Sequence, residues 1–327
     1  MKKALVIQTA SIGDVILATP VLEKLHRHYP EAQIDFMVKK GMESLFLGHP
    51  FLHEVLIWDK QHHKYLGFDK LMHRVWYEKY DLVVNLQRFF LTGLLTAFSR
   101  ASMRIGFDKN PLSFCYTKKI PHNISEGIHE IKRNLSLISG ITDNGDMLPR
   151  IYPSAADLLE VAPLTTGWYY TISPASLWFT KQYTKEKWVE FIQRIPAGNK
   201  VYLLGSSSDQ PLCDNLIRKA ARAGMKNLAG KLSFLQSAAL MQHARMNFTN
   251  DSAPMHLASA VNAPVTAIYC STVPEFGFGP LSDNSHVVQT TERLACRPCG
   301  LHGYRSCPEK HFKCASGIKV EQLLLQI

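Results

Sequence analysis

No apolar run in this chain approaches the ~20 residues that span a bilayer. The opening residues Met1 to Ile7 are too short for a secretory signal and read as a strand. Neither common phosphate-binding fingerprint is present. The loop Thr9-Ala10-Ser11-Ile12-Gly13-Asp14 has one glycine where the dinucleotide motif has three, and no Gly-Lys-Ser/Thr follows it. RRM, helix-turn-helix and paired-finger motifs are missing as well. That weighs against the rival reading of a basic nucleic-acid-binding protein with a Cys-rich finger, and no nucleic acid is expected as a partner. Cysteine is sparse and odd in number, seven in 327 residues, with Cys115, Cys213 and Cys270 scattered, so a secreted disulfide framework is not expected. Acidic residues are outnumbered, 27 against 37 basic, and the formal charge of +10 favours anionic partners. The expectation is a cytoplasmic protein, with room for peripheral contact to the inner membrane through basic or aromatic surface.

What the chain does contain is alternation. Apolar strand-like runs at Lys3 to Gln8, Ala32 to Val38, His53 to Ile57, Asp81 to Leu86 and Met103 to Phe107 alternate with helical stretches. Those stretches are Val15 to His28, with Pro20 kinking it or marking its true start, then Gly41 to Leu47, Lys60 to Lys79, Phe89 to Phe98 and Ile128 to Ser139. From Thr142 to Gly167 the rhythm lapses among Pro and Gly, which puts a boundary near residue 160. A second series follows, with strands at Trp168 to Ile172, Lys200 to Leu204, Lys226 to Leu228, Met246 to Thr249 and Pro264 to Tyr269. The fold class is therefore α/β: two Rossmann-like domains with parallel sheets, residues 1–160 and 161–327, facing across a cleft.

Ligands of such sheets sit at the carboxyl ends of strands. Ser11, Gly13 and Asp14 follow the first strand, and Gln87 and Arg88 end the fourth. Asp14 reads equally as a proton acceptor for a hydroxyl nucleophile and as a plain helix cap. In the second half, Asn250-Asp251-Ser252-Ala253-Pro254-Met255-His256 reads as a turn and helix start, a seat for phosphate flanked by a carboxylate and an imidazole. The alternative is that Asp251 caps the helix and His256 packs its first turn. Lys181 suits a departing diphosphate, or is a solvated lysine, and Asp209 suits ribose hydroxyls, or opens a helix. Cys296, Cys299, Cys307 and Cys314 form an unusual cluster with His302 and His311. The second pair is spaced by six residues, outside the usual zinc spacing, and reduced thiols packed as small hydrophobes are the alternative to structural zinc.

Taken together, Ser11-Ile12-Gly13-Asp14, Lys181 ahead of a Trp-bearing helix and Asp251-Ser252-Ala253-Pro254-Met255-His256 resemble glycosyltransferase family 9, the ADP-heptose:lipopolysaccharide heptosyltransferases. The resemblance implies a GT-B fold. It also implies inverting, metal-independent transfer of a heptose from ADP-heptose to a lipid A-linked lipopolysaccharide core, with no cofactor. By position, Asp14 resembles the general base and Ser11 and Gly13 shape its loop. Ser176 and Lys181 resemble phosphate contacts, and Asp251, Ser252, Ala253 and His256 the donor-binding turn. Family members often carry Gly where Ala253 stands. The anionic acceptor core would be met by candidates among Lys60, Lys64, Lys70, Arg74, Arg88, Arg104 and Lys109, with Arg88 and Arg104 nearest strand ends. A nucleotide-sugar epimerase of the same architecture is the rival enzyme class.

Overall fold

The computed structural model describes residues 1–60, 64–124 and 127–327, with Lys64, Tyr65 and Leu66 described by their backbone alone. It divides into two units, Met1–Tyr152 and Pro153–Ile327.

In the first unit the strands are β1 (Lys3–Ile7), β2 (Gln33–Lys39), β3 (Leu52–Trp58), β4 (Leu82–Asn85), β5 (Met103–Phe107) and β6 (Lys118–Ile120). The helices are α1 (Ile12–His28), α2 (Lys64–Glu78), α3 (Phe90–Phe98) and α4 (Glu130–Ser136). The sheet order is β3-β2-β1-β4-β5-β6, every pair parallel. Burial of β1 and β4 on both faces explains their continuous apolar sequence. The order reverses between β1 and β4, where an open parallel sheet leaves its crevice.

The second unit repeats the plan. Its strands are β7 (Tyr169–Ser173), β8 (Lys200–Leu203), β9 (Met225–Asn227), β10 (Met246–Asn250), β11 (Val265–Tyr269) and β12 (Ser285–Gln289). They lie in the order β12-β11-β10-β7-β8-β9, again parallel, with the reversal between β7 and β10. Its helices are α5 (Ala155–Val161), α6 (Lys185–Arg194), α7 (Gln210–Ala220), α8 (Phe234–Gln242), α9 (Ala253–Ala260), α10 (Lys313–Ser316) and α11 (Val320–Leu324). Tyr170, Trp188, Phe191 and Phe248 lead a core that reaches Ile318 and Leu323 of the last turns.

Several local expectations change. Helix α1 continues through Pro20 because the Thr19 hydroxyl donates to the Ile16 carbonyl at 2.8 Å, the acceptor that a proline at position 20 leaves without its usual amide. The stretch expected as a helix from Gly41 is only a 3₁₀ turn, Glu43–Phe46. Of the basic helix expected from Lys60, residues 61–63 lie outside the described residues. The supposed linker contains α5, which is capped by Ser154 and Asp157. The first unit ends where Tyr152 is held: its hydroxyl donates to Glu23 at 2.9 Å and its ring meets His49 edge-on, 4.9 Å between centroids.

His49 stands among His26, Phe51 and Tyr152, and burial plus the neighbouring His26 lowers its pKa from 6.5 to about 4. The folded pKa thus lies below the unfolded one. As pH falls between those values the unfolded chain takes up the proton first, so stability is retained above about 6.5 and lost toward about 4. His49→Phe is expected to flatten the dependence of the urea midpoint on pH in that window. Parallel profiles for variant and wild type would contradict it.

Candidate functional site

In the second unit the site is built around the end of β10. Asn250 is fully buried. Its Nδ2 donates to the Pro174 carbonyl at 2.8 Å, and its Oδ1 accepts from the Tyr183 amide at 2.9 Å. Both ends of the β7–α6 loop are thereby pinned to β10. Between them a 3₁₀ turn, Phe179–Lys181, carries Lys181 inward. Its Nζ lies 2.7 Å from Asp251 Oδ2, which also accepts the Thr272 hydroxyl at 2.5 Å. Asp251 is 5% exposed, so its charge needs this cation and this donor.

Asp251 is therefore not the cap of α9. Ser252 holds the N-cap position, yet its hydroxyl turns back to the Asn250 carbonyl at 3.3 Å and makes no cap bond. The helix starts at Ala253, outside the positive-φ residues, so a methyl group there carries no backbone strain. Pro254 follows within the first turn, and His256 is buried beneath it. A helix start of this kind presents amide N–H groups and the positive end of the helix dipole. Ser176 is half-buried in the pinned loop, its carbonyl accepting from Gln182 Nε2 at 2.7 Å. Asp209 stands apart after β8. Its carboxylate accepts from Ser206, from the amide at 2.8 Å and the hydroxyl at 2.7 Å.

The Cys-rich segment buttresses the Lys181 turn. The Thr180 amide donates to the Tyr304 carbonyl at 3.1 Å, and the Tyr304 amide returns a bond to Thr180 Oγ1 at 2.7 Å. Phe179 and Phe312 stack at 4.9 Å. Gly303 has φ +76°, and a Cβ there would come within 2.8 Å of Thr180 Oγ1. Arg297 Nε and guanidinium donate to the carbonyls of Cys270 and Thr272 at 2.7 and 2.8 Å, fixing the chain beside Asp251. Thr272 and Arg297 went unread in the sequence, and the pinning role of Asn250 was not seen. Asn250 looked like an ordinary turn residue, and an arginine between cysteines gives no signal of carbonyls brought to it by a distant strand.

The cysteines are free thiols, and Cys296 Sγ lies 3.8 Å from His311 Nε2. Cys296, Cys299, Cys307 and Cys314 are near enough to interact electrostatically, with no three of their donor atoms within 4.8 Å of one another. Among the described residues the one group of three donor atoms within 4.8 Å of each other is Asp35, His53 and Glu54. There Tyr80 donates to Asp35 at 2.5 Å, and Arg74 binds Glu54 at 2.5 Å.

In the first unit Asp14 is the third residue of α1, in a capping box with Ser11. The Ser11 amide (3.1 Å) and hydroxyl (2.5 Å) both donate to Oδ2, and Oδ1 takes part in neither bond. Gly13 is buried beside it. The same box recurs at Ser154 with Asp157 and at Ser206 with Asp209, so the box alone carries no function. What distinguishes Asp14 is its place beside the β1/β4 reversal and its charged surroundings. Burial raises the Glu130 carboxyl; Arg133, 2.7 Å away, opposes this, and the negative charge of Asp14 adds to it. Lys60 Nζ holds the Thr9 carbonyl at 2.8 Å, bracing the same loop.

Gln87 is buried and donates to Gln8, while its own Oε1 has no partner among the described residues. Arg88 is exposed, and its charge helps burial lower the pKa of His122 to about 4. Arg104 departs from the expectation. It lies near the amino end of β5, the edge away from Asp14, and its Nε donates to the Cys115 carbonyl at 3.0 Å. Arg74 is engaged by Glu54 and Glu78, Lys70 and Lys109 are exposed, and the Lys64 side chain is outside the described residues.

Lys181→Met would leave the Asp251 carboxylate buried without its cation. Stability measured by urea unfolding is expected to fall by about 3–5 kcal/mol, and a second change, Asp251→Asn, to restore part of it. Simple addition of two losses would show that the pair is not coupled.

Comparison with known proteins places the chain in a family. The profile of glycosyltransferase family 9 (heptosyltransferase) matches residues 68–304. Lipopolysaccharide heptosyltransferase 3 of Escherichia coli is 28% identical over 288 residues, 83% of this chain and 84% of the relative. The structure of E. coli ADP-heptose lps heptosyltransferase II superposes with a TM-score of 0.80 at 22% identity, covering 100% of this chain and 97% of the other. E. coli heptosyltransferase WaaC, solved with ADP-2-deoxy-2-fluoro heptose, gives 0.75 at 19% identity and covers 99% of each chain. These likenesses show the GT-B fold. With its profile matched over more than half the sequence, the chain belongs to glycosyltransferase family 9 (heptosyltransferase) and is a glycosyltransferase.

Proposed function

We propose that this protein transfers a heptose from ADP-heptose to a lipid A-linked lipopolysaccharide core. The observation that carries the donor side is the buried Lys181–Asp251–Thr272 group beside the start of α9. The relatives' activity on lipopolysaccharide and the ADP-sugar analogue held by the E. coli neighbour support the choice of acceptor and donor. Carried over to this chain, the second unit holds the nucleotide-sugar. Ser252, Ala253 and His256 meet the diphosphate end, and Ser176 and Asp209 add polar contacts. The first unit takes the acceptor through Ser11, Gly13, Gln87 and Arg88. Gln87 Oε1 supports this, since a buried acceptor without a partner suits an incoming hydroxyl. Arg104 is left out, because its guanidinium is bound to backbone away from that loop.

The reaction reads as one inverting displacement. Asp14 accepts the proton of the acceptor hydroxyl, and the freed oxygen attacks the anomeric carbon as the bond to ADP breaks. The negative charge gathering on the departing diphosphate is met by Lys181 and the α9 amides. For Lys181 to do so it shares itself between Asp251 and phosphate, so Asp251 also keeps the ammonium oriented. No metal is needed in this scheme, because the cation is supplied by the chain. The acceptor lipid places the work at the cytoplasmic face of the inner membrane.

Asp14→Asn is expected to lower kcat about 10²–10⁴-fold with ADP-heptose and core acceptor, leaving ADP affinity unchanged. Chelator should leave the wild-type rate as it is. Turnover near wild type in the variant would remove Asp14 as base. Consumption of ADP-heptose without any acceptor would favour the epimerase instead.

A further inference from the structure

Helix α3, Phe-Leu-Thr-Gly-Leu-Leu-Thr-Ala-Phe, carries no charged residue. A helix apolar all round is normally enclosed. Here one side, Thr92, Gly93, Leu95 and Thr96, is buried, while Phe90 is 52% and Phe98 54% exposed on the other. Helix α2 packs beside it. Its outer side adds Trp76 and Tyr77, 38% and 70% exposed, and Phe98 closes a shallow recess of about 310 Å³ with Met72, Trp76 and Tyr77. Exposed apolar surface thus runs the nine residues of α3, about 13 Å, starting beside Arg88 at its amino end.

The border of this surface is cationic. Arg100 lies over the Trp76 ring at 4.7 Å. Lys70, Lys79, Arg88 and Arg100 have no carboxylate partner among the described residues. Of the acidic groups nearby, Glu78 is bound by Lys3 and Arg74, and Asp69 is exposed with His73 3.7 Å away.

We infer that the outer face of α2 and α3 is a membrane-docking surface, its occupant the interfacial layer of an anionic bilayer. Trp, Tyr and Phe on an apolar stripe fit the headgroup boundary, and a basic border fits anionic lipid. A second copy fits less well, since an isologous contact would bring the four cations against themselves. The inference deepens the proposed reaction and rests on it in one respect, that a lipid-linked acceptor gives the enzyme reason to sit on a bilayer. It also places the apolar strip beside the loop end that carries Arg88, so a docked enzyme would meet its acceptor near the lipid surface.

The test is co-sedimentation of the full chain with vesicles of phosphatidylethanolamine and phosphatidylglycerol, against vesicles of phosphatidylcholine alone. Wild type should bind the anionic vesicles, and less as salt approaches about 1 M. Phe90→Ser with Phe98→Ser should lower the partition coefficient about ten-fold or more, while Leu177→Ser, 89% exposed in the second unit, should not. Tyr77→Ser repeats the test should the double variant not fold. Transfer to acceptor dispersed in detergent reports the reaction separately, and the double variant should match wild type there. Vesicle binding unchanged by these substitutions would overturn the inference. So would a wild-type dimer that the substitutions break, or a wild type that transfers heptose yet ignores anionic vesicles. In the last case the reaction stands and the surface does not.

Discussion

A carboxylate taken out of water must keep a cation beside it. Much of the second unit is arranged to satisfy that requirement for Asp251. Lys181 supplies the charge at 2.7 Å, and Thr272 adds a hydroxyl. Each partner is fixed by something further off. Lys181 sits on a turn whose two flanks are bonded to the Asn250 side chain, and whose outer side is stapled by Tyr304 and Phe312. Thr272 is steadied by Arg297 through its carbonyl. The ion pair is thus the meeting point of three segments far apart in sequence. Those contacts tie the C-terminal segment to the Lys181 turn.

On the proposed reading the first unit puts the same topology to a different chemical purpose. Its reversal between β1 and β4 opens onto a helix start that carries Asp14, where the second unit carries the Lys181–Asp251 pair. An acid at that place would repel phosphate and suits a proton instead. Burial raises the carboxyl of the neighbouring Glu130, and the charge of Asp14 adds to that rise while Arg133 opposes it. Two units of one plan are thereby differentiated by a handful of side chains at the same edge.

The alternation of apolar runs made the two parallel sheets legible, because strands buried on both faces leave continuous Val, Ile and Leu in the sequence. The turn from Asn250 to His256 was legible as a ligand seat, as was the Ser11–Asp14 loop. The internal bonding was not. Asp251 read either as part of that seat or as a cap, and Ser252 at the N-cap position together with the pairing to Lys181, 70 positions earlier, removes the cap. Arg104 looked well placed because it lies near a strand end, but in the run Met103 to Phe107 that is the amino end, and a parallel sheet receives ligands at its carboxyl ends. The cysteines, an unusual cluster whose second pair is spaced outside the usual zinc pattern, are free thiols in the fold, and their spacing gave no sign that the segment braces the Lys181 turn. Pro20 misled for a local reason, since the threonine that replaces its missing bond is a residue of no special pattern.

The central claim is that the nucleotide is received at the end of β10, by the α9 amides and the lysine that Asp251 holds. Amide chemical shifts recorded while ADP is titrated into the full-length protein test it directly. The account predicts that Ser252, Ala253, His256 and the Lys181 turn respond together and saturate at one equivalent, and that Lys181→Met weakens the response. Shifts confined to the Ser11–Asp14 loop, with those residues unmoved, would contradict it.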